Sequence, residues 1–180
     1  MGSPPLRLAN SAVTRGCSGH RCCLTFVVVA PETDLLPFLK GREGCVSYAV
    51  ANGNTIWVRA SAADTGGAYT LIEGQHIAGT GPPLHTHDAE DETFWIVGGS
   101  YAIQADDEEF SAAAGDVVFV PRLIRHRFQC RSDGRMFLLY TPGGFEGFFA
   151  ERASAESARG RSLQPDEIDE IGRRYGMRVV

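Results

Sequence analysis

The stretch that decides the fold runs from Gly79 to Gly99 and reads GTGPPLHTHDAEDETFWIVGG. His85 and His87 are two residues apart, and along a β-strand such residues point to the same face, roughly 6.5–7 Å apart. Two imidazoles at that spacing can converge on one ion at about 2.1 Å each. Glu92 follows the acidic loop Asp88–Asp91, at the start of the next apolar segment. The stretch therefore predicts two strands that aim two imidazoles and a carboxylate at one point.

A second stretch, Gly115 to His126, reads GDVVFVPRLIRH and supplies a third imidazole. A turn leads into an apolar strand, and Pro121 separates that strand from His126. A histidine inside so apolar a sheet needs a hydrogen-bond partner or an ion. Three neutral nitrogens and one carboxylate oxygen leave coordination positions of a bound metal open. Open positions are typical of a catalytic metal site rather than a structural one.

The rest of the chain predicts an all-β fold. From Asn54 onward, short segments alternate polar and apolar residues, are rich in β-branched and aromatic residues, and are separated by turn residues. Such a pattern indicates a sandwich or barrel, and Asp133-Gly134 predicts a hairpin. The predicted strands are Thr55–Arg59, Ala68–Ile77, Thr93–Val97, Ser100–Gln104, Val117–Val120, His126–Cys130 and Met136–Tyr140.

Helical spacing appears only towards the C-terminus. Phe145, Phe148 and Phe149 lie on one face of a predicted helix that continues to Ala158. A second helix is predicted from Pro165, with Gly176 as its C-terminal cap. We therefore divide the chain into a flexible N-terminal extension over residues 1–30, a barrel with N-terminal strands over residues 31–150, and a helical tail over residues 151–180.

Composition narrows the function classes. The chain has 180 residues, enough for one domain, and a formal net charge of −5, which is unlike a nucleic-acid-binding protein. No apolar run approaches the roughly 18–20 residues of a membrane span. The five cysteines are irregularly spaced, and the cluster Cys17, His20, Cys22 and Cys23 fits no standard zinc pattern. We expect a cytoplasmic protein with no nucleic-acid or membrane partner.

The two decisive stretches resemble the paired signatures of the cupin superfamily. The first signature, G-x5-H-x-H-x3,4-E-x6-G, is matched at every position, by Gly79, His85, His87, Glu92 and Gly99. The second, G-x5-P-x-G-x2-H-x3-N, is matched by Gly115, Pro121 and His126 but has Leu123 in place of the glycine and Cys130 in place of the asparagine. Residues 54–149 look most like the single-domain quercetin-dioxygenase-like cupins. The resemblance implies a single jelly-roll (cupin) barrel, here with short C-terminal helices.

The resemblance also implies one divalent transition metal, which could be Fe, Mn, Ni, Co, Cu or Zn, on His85, His87, Glu92 and His126. Glu92 is then a candidate catalytic proton acceptor as well as a ligand. Strand parity places three apolar side chains inward beside the metal, and two polar side chains are candidates for substrate contact. These five candidate substrate-binding residues are Phe94, Ile96, Phe128, Gln75 and Tyr140. His76 is interpreted as a surface or strand-end histidine.

Three functions follow from such a centre. The first is an oxygenase-type enzyme acting on a small enol, phenol or flavonol-like substrate. The second is a metal-dependent isomerase, cyclase or hydrolase that uses the ion only as a Lewis acid. The third is a non-enzymatic small-molecule-binding protein, because the fold alone does not determine the function. By analogy with related barrels and their uncovered strands, we expect a homodimer.

Overall fold

The computed structural model describes residues 35–50 and 52–180. The predicted extension over residues 1–30 and the cysteine cluster from Cys17 to Cys23 lie outside the described residues. The strands of the described part are β1 Val46–Ala49, β2 Thr55–Ala60, β3 Thr70–His76, β4 His85–His87, β5 Asp91–Ala105, β6 Glu108–Ala113, β7 Val117–Val120, β8 His126–Thr141 and β9 Met177–Val179. The helices are α1 Ala62–Thr65, α2 Glu146–Arg159 and α3 Pro165–Gly172, with short 3-10 turns at Arg42–Gly44 and Arg173–Tyr175.

Two long strands, β5 and β8, hold the fold together. They pair antiparallel from Asp91 opposite Thr141 to Ala105 opposite His126. On its other side β8 also pairs with β3 and β4, which extends the sheet in the order β1-β2-β3-β8-β4-β9. Strands β6 and β7 pair with β5. The predicted all-β class with short helices is confirmed, and the sheet does not close into a complete ring.

The hairpin predicted at Asp133-Gly134 is wrong, because both residues lie inside the continuous strand β8. The predicted strands on either side of this dipeptide are one element, and pairing with β5 keeps the chain extended through it. Glycine is needed at position 134 because the backbone of β5 lies very close to it, and not because the chain turns there. A Cβ atom at this position would lie 2.8 Å from the carbonyl oxygen of Gly98, which is too close for any other residue.

The side chains of β5 alternate between core and solvent as the sequence predicts. Phe94 and Ile96 are fully buried, whereas Trp95 between them is exposed. On the same outer face, Val117 and Phe119 of β7 are also exposed. This outer apolar face would suit the expected homodimer, which stays a prediction. In the described residues no helix has the length and apolarity needed to cross a membrane.

The C-terminal segment from Phe145 to Val180, called the tail from here on, packs back on the barrel. Helix α2 buries Phe148 and Phe149, and helix α3 begins with Pro165 after a capping box formed by Gln164 and Glu167. Both predicted helices are confirmed. The final strand β9 was not predicted, because three residues are too few to show an alternating pattern. It pairs with β4, the strand that carries His85 and His87.

Leu123, which stands where the cupin signature has glycine, adopts a left-handed conformation with φ of 69°. Its backbone N–H donates a hydrogen bond of 2.9 Å to the carbonyl oxygen of His87. The side chain is 65% exposed, so it gains little from burial. The chain therefore keeps the turn that the signature glycine normally makes, at the energetic cost of a left-handed leucine.

Replacing Leu123 with glycine is expected to raise the free energy of unfolding by about 0.5–1 kcal/mol. A left-handed conformation costs a non-glycine residue roughly 1–2 kcal/mol, and the greater flexibility of unfolded glycine offsets part of the gain. Urea denaturation of the wild type and of Leu123→Gly measures the difference. Leu123→Ala is the control, because alanine retains the left-handed penalty and should give no increase. Equal stability of the two variants would contradict this account.

Candidate metal centre

Three strands bring the four predicted ligands to one place in the barrel. Strand β4 presents His85 and His87 on its inner face, with Thr86 between them pointing outward. Strand β5 has Glu92 as its second residue, and β8 begins at His126. His85 and His126 are direct cross-strand partners, so register places their rings side by side. All four side chains are buried.

The four residues form a compact donor group. One nitrogen or oxygen from each of His85, His87, Glu92 and His126 lies within 4.8 Å of every other. The Nε2 atom of His126 is 2.8 Å from Oε2 of Glu92, and Nε2 of His87 is 3.5 Å from the same oxygen. The convergence that strand parity predicts is therefore present in the structure.

Backbone carbonyls orient two of the three rings. The Nδ1 atom of His85 is 2.9 Å from the carbonyl oxygen of Pro83, and Nδ1 of His126 is 2.9 Å from that of Ile124. A carbonyl can only accept, so in both rings Nδ1–H is the donor. For both rings this leaves Nε2 as the atom available to the shared donor group.

The electrostatics of the centre favour the metal-binding protonation state at two of the four groups, Glu92 and His85. Burial alone would raise the pKa of Glu92, but the hydrogen bond from His126 and the nearby His87 ring outweigh burial and hold the pKa well below its usual range. Burial would lower the pKa of His126, whereas the Glu92 carboxylate raises it above the ordinary value. Burial, together with the neighbouring imidazoles, lowers the pKa of His85 to about 3. The carboxylate is therefore ionised and His85 neutral, the forms that bind metals.

His87 shows that the group fits a metal ion. Both of its ring nitrogens are buried and have no hydrogen-bond partner in the described part of the chain. Such an unsatisfied group costs about 1–3 kcal/mol. Donors at about 2.1 Å from one ion lie roughly 3–4 Å from each other, which small side-chain rotations would achieve here. Three imidazoles and one carboxylate are also a donor set that suits first-row divalent metals.

The donor group opens into a small apolar cavity of about 70 Å³. Phe94, Phe128 and Leu138 of the barrel form its inner wall. The tail closes the other side with the side chains of Phe145, Phe148, Phe149, Ile168 and Met177, and Arg152 of α2 adds a positive charge. The sequence predicts helix faces at Phe145, Phe148 and Phe149 and at Ile168 and Ile171, the latter packed on the barrel, but no motif indicates that these residues line a cavity.

The structure brings only some of the predicted substrate-binding residues to this cavity. Phe94, Phe128 and Tyr140 line it. Ile96 is fully buried in the barrel core but is not part of the cavity lining. Gln75 is exposed on the outer face of β3, because strand alternation points Gly74 and His76 inward and Gln75 away. Gln75 therefore has no place in this pocket.

His76 ends β3, as interpreted from the sequence, but it is not a surface residue. It is only 3% exposed, and its Nδ1 atom lies 3.1 Å from the hydroxyl oxygen of Tyr101. Its ring also packs against Phe128. Extending the alternation from Ile72 would have placed His76 inward. Burial lowers the pKa of His76 to about 4, so the ring is neutral at pH 7.

Taken together, the structure is an antiparallel β-fold that buries a group of three histidines and one glutamate, a candidate metal centre. Residues 76–142 match the family model described as "Cupin domain". This part of the chain is therefore similar to a cupin domain. No curated protein matches it.

Two solved structures share the fold of this chain. A cupin described as RmlC-like, from Shewanella frigidimarina, is 16% identical, covers 64% of this chain and 99% of its own, and superposes with a TM-score of 0.55. Pac13 of Streptomyces, described as a unique nucleoside dehydratase, is 16% identical, covers 62% of this chain and 88% of its own, and has a TM-score of 0.52. At these identities the similarity establishes the fold.

His76 predicts a specific loss of stability in acid. Below its ordinary pKa of 6.5 the unfolded chain protonates this ring, while the folded ring stays neutral until the pH approaches 4. The free energy of unfolding should therefore fall by about 2–3 kcal/mol through this residue as the pH drops from 7 to 4. Urea denaturation across this range, with a chelator present, measures the slope.

His76→Gln is the informative variant, because glutamine can still hydrogen-bond the Tyr101 hydroxyl but does not titrate. The ionisable groups beside the ring are Tyr101 and Cys130, whose pKa values are both raised by burial, so both stay neutral over this range. The slope of His76→Gln should be shallower than that of the wild type. Identical slopes would contradict the assignment.

Proposed function

We propose that the protein binds one divalent transition metal on His85, His87, Glu92 and His126 and acts as an oxygenase-type enzyme on a small enol or phenol. The observation that carries the proposal is a buried group of metal-type donors next to an apolar cavity, in which the ring nitrogens of His87 have no hydrogen-bond partner among the described residues. When bound, the ion supplies Lewis acidity and, if it is redox-active, the capacity to activate dioxygen.

The cavity lining favours a small substrate that carries an oxygen anion. A volume of about 70 Å³ is well below the roughly 300–1,000 Å³ of sites for drug-sized ligands. A small enol or phenol therefore suits the cavity better than a flavonol. The guanidinium of Arg152 forms a 3.1 Å salt bridge with Glu156, which compensates its charge, but the group has further N–H donors that suit an enolate or phenolate oxygen.

Tyr140 and Glu92 are the polar groups of the proposed reaction. Burial, with a further contribution from the Glu92 charge, raises the pKa of Tyr140 well above its usual value, so the phenol keeps its proton. Tyr140 can then donate a hydrogen bond to a substrate oxygen. Glu92 is ionised and can accept a proton from the substrate, provided that the carboxylate loosens from the ion.

Metal binding is the first expected outcome. Protein prepared with each of the six candidate metals should bind one ion per chain, and removal by a chelator should lower the melting temperature. His126→Ala and His87→Ala should each lose stoichiometric binding. His76→Gln, a substitution of a buried histidine outside the donor group, should retain it. Elemental analysis and calorimetric titration provide the measurement, and unchanged binding in both alanine variants would contradict the ligand assignment.

Oxygen consumption is the second expected outcome. Protein loaded with a redox-active metal should consume dioxygen in step with loss of a small enolisable or phenolic substrate, whereas zinc-loaded protein should not. An oxygen electrode combined with product analysis measures both quantities. Turnover that persists with zinc and without oxygen would instead indicate an isomerase, cyclase or hydrolase. Metal binding without turnover across a broad substrate panel would indicate a binding protein.

A further inference from the structure

The segment from Asp88 to Asp91, which leads from β4 into β5, contains three acidic residues, and only one of them turns inward. Asp88 pairs with Arg178 at 2.9 Å, and Asp91 pairs with Arg122 at 3.0 Å. The Glu90 side chain is 11% exposed and contacts the back of the His87 ring. Its Oε2 atom lies 3.8 Å from Nδ1 of His87, on the opposite edge of the ring from Glu92.

Both atoms of this contact are unsatisfied. Nδ1 of His87 and Oε2 of Glu90 are buried and have no hydrogen-bond partner among the described residues. Two such atoms, one a potential donor and the other an acceptor, are each other's natural partners. A shift of about 1 Å would bring them to hydrogen-bond distance, and small side-chain rotations are enough for it.

His87 is also the ring whose orientation is otherwise unsupported. His85 and His126 each donate Nδ1–H to a backbone carbonyl, but His87 has no carbonyl in that role. Metal-ligating histidines almost always donate their second ring N–H to such a partner, and a carboxylate in this position also increases the basicity of the ligand.

We infer that Glu90 is a positioning residue of the centre: its carboxylate accepts the Nδ1–H of His87 and thereby directs Nε2 towards the metal. The inference rests on the proposed metal site. Glu90 does not belong to the donor group, because its oxygen faces the nitrogen of His87 that points away from Glu92.

Three variants separate this role from simple loss of charge. Glu90→Ala removes the acceptor, Glu90→Gln keeps an acceptor oxygen without the charge, and Asp88→Asn removes one charge from the same loop at a residue that faces Arg178. The probe is zinc, and its affinity is measured by competition with a chelator. Ring nitrogen and proton NMR of the zinc-loaded protein reports which nitrogen of His87 carries the proton.

The expected order of zinc affinity is wild type, then Glu90→Gln, then Glu90→Ala. The alanine variant should bind about 10–100-fold more weakly, and Asp88→Asn should stay close to the wild type. The wild-type spectrum should show a proton on Nδ1 of His87 in slow exchange with water, and Glu90→Ala should lose this protection. If Glu90→Ala does not fold, the comparison of Glu90→Gln with Asp88→Asn still decides.

Two results would overturn the inference. If both Glu90 variants bind zinc as Asp88→Asn does, the hydrogen bond has no role, while the proposed metal site stands. If the wild type itself does not bind zinc or any of the other candidate metals, the metal site and the role of Glu90 fail together.

Discussion

The structure depends on one constraint: four polar groups are buried around a single point in an apolar barrel. Three imidazoles and a carboxylate in such a place are costly unless each finds a partner. The protein meets part of this cost itself, through the Glu92–His126 hydrogen bond and the carbonyls of Pro83 and Ile124. Within residues 35–50 and 52–180 the ring nitrogens of His87 have no hydrogen-bond partner, and a bound ion would satisfy one of them.

The surrounding backbone is arranged to hold these groups still. Cross-strand pairing of His85 with His126 fixes two rings by register, and the long pairing of β5 with β8 fixes Glu92 relative to both. The turn after Pro121 contributes through the Leu123 N–H, which binds the carbonyl of His87. The turn with its left-handed leucine holds β4, the strand that carries His85 and His87, in place. The cost of the strained leucine is therefore offset by the fixed position of these two side chains.

The sequence alone predicts which four residues form the donor group, but it does not predict the arrangement of the strands and side chains around them. The spacing of His85, His87 and Glu92 translates directly into strand parity, which is a local property. The continuity of β8 through Gly134 depends on pairing with β5, a distant partner that no local turn signal reveals. The orientations of Gln75 and His76 could not be assigned from the sequence, because the phase of a strand is uncertain until its burial is known.

The tail carries the least recognisable signal and has the greatest effect on what the cavity can hold. Phe145, Phe148 and Met177 close a space of about 70 Å³ that the barrel alone would leave open. The closure is tied to the ligands, because β9 pairs with β4 and the Val180 N–H donates to the Leu84 carbonyl beside His85. Opening the tail to admit a larger molecule would release the strand that carries two of the three histidines. The size of the cavity and the integrity of the donor group are therefore coupled through one edge of the sheet.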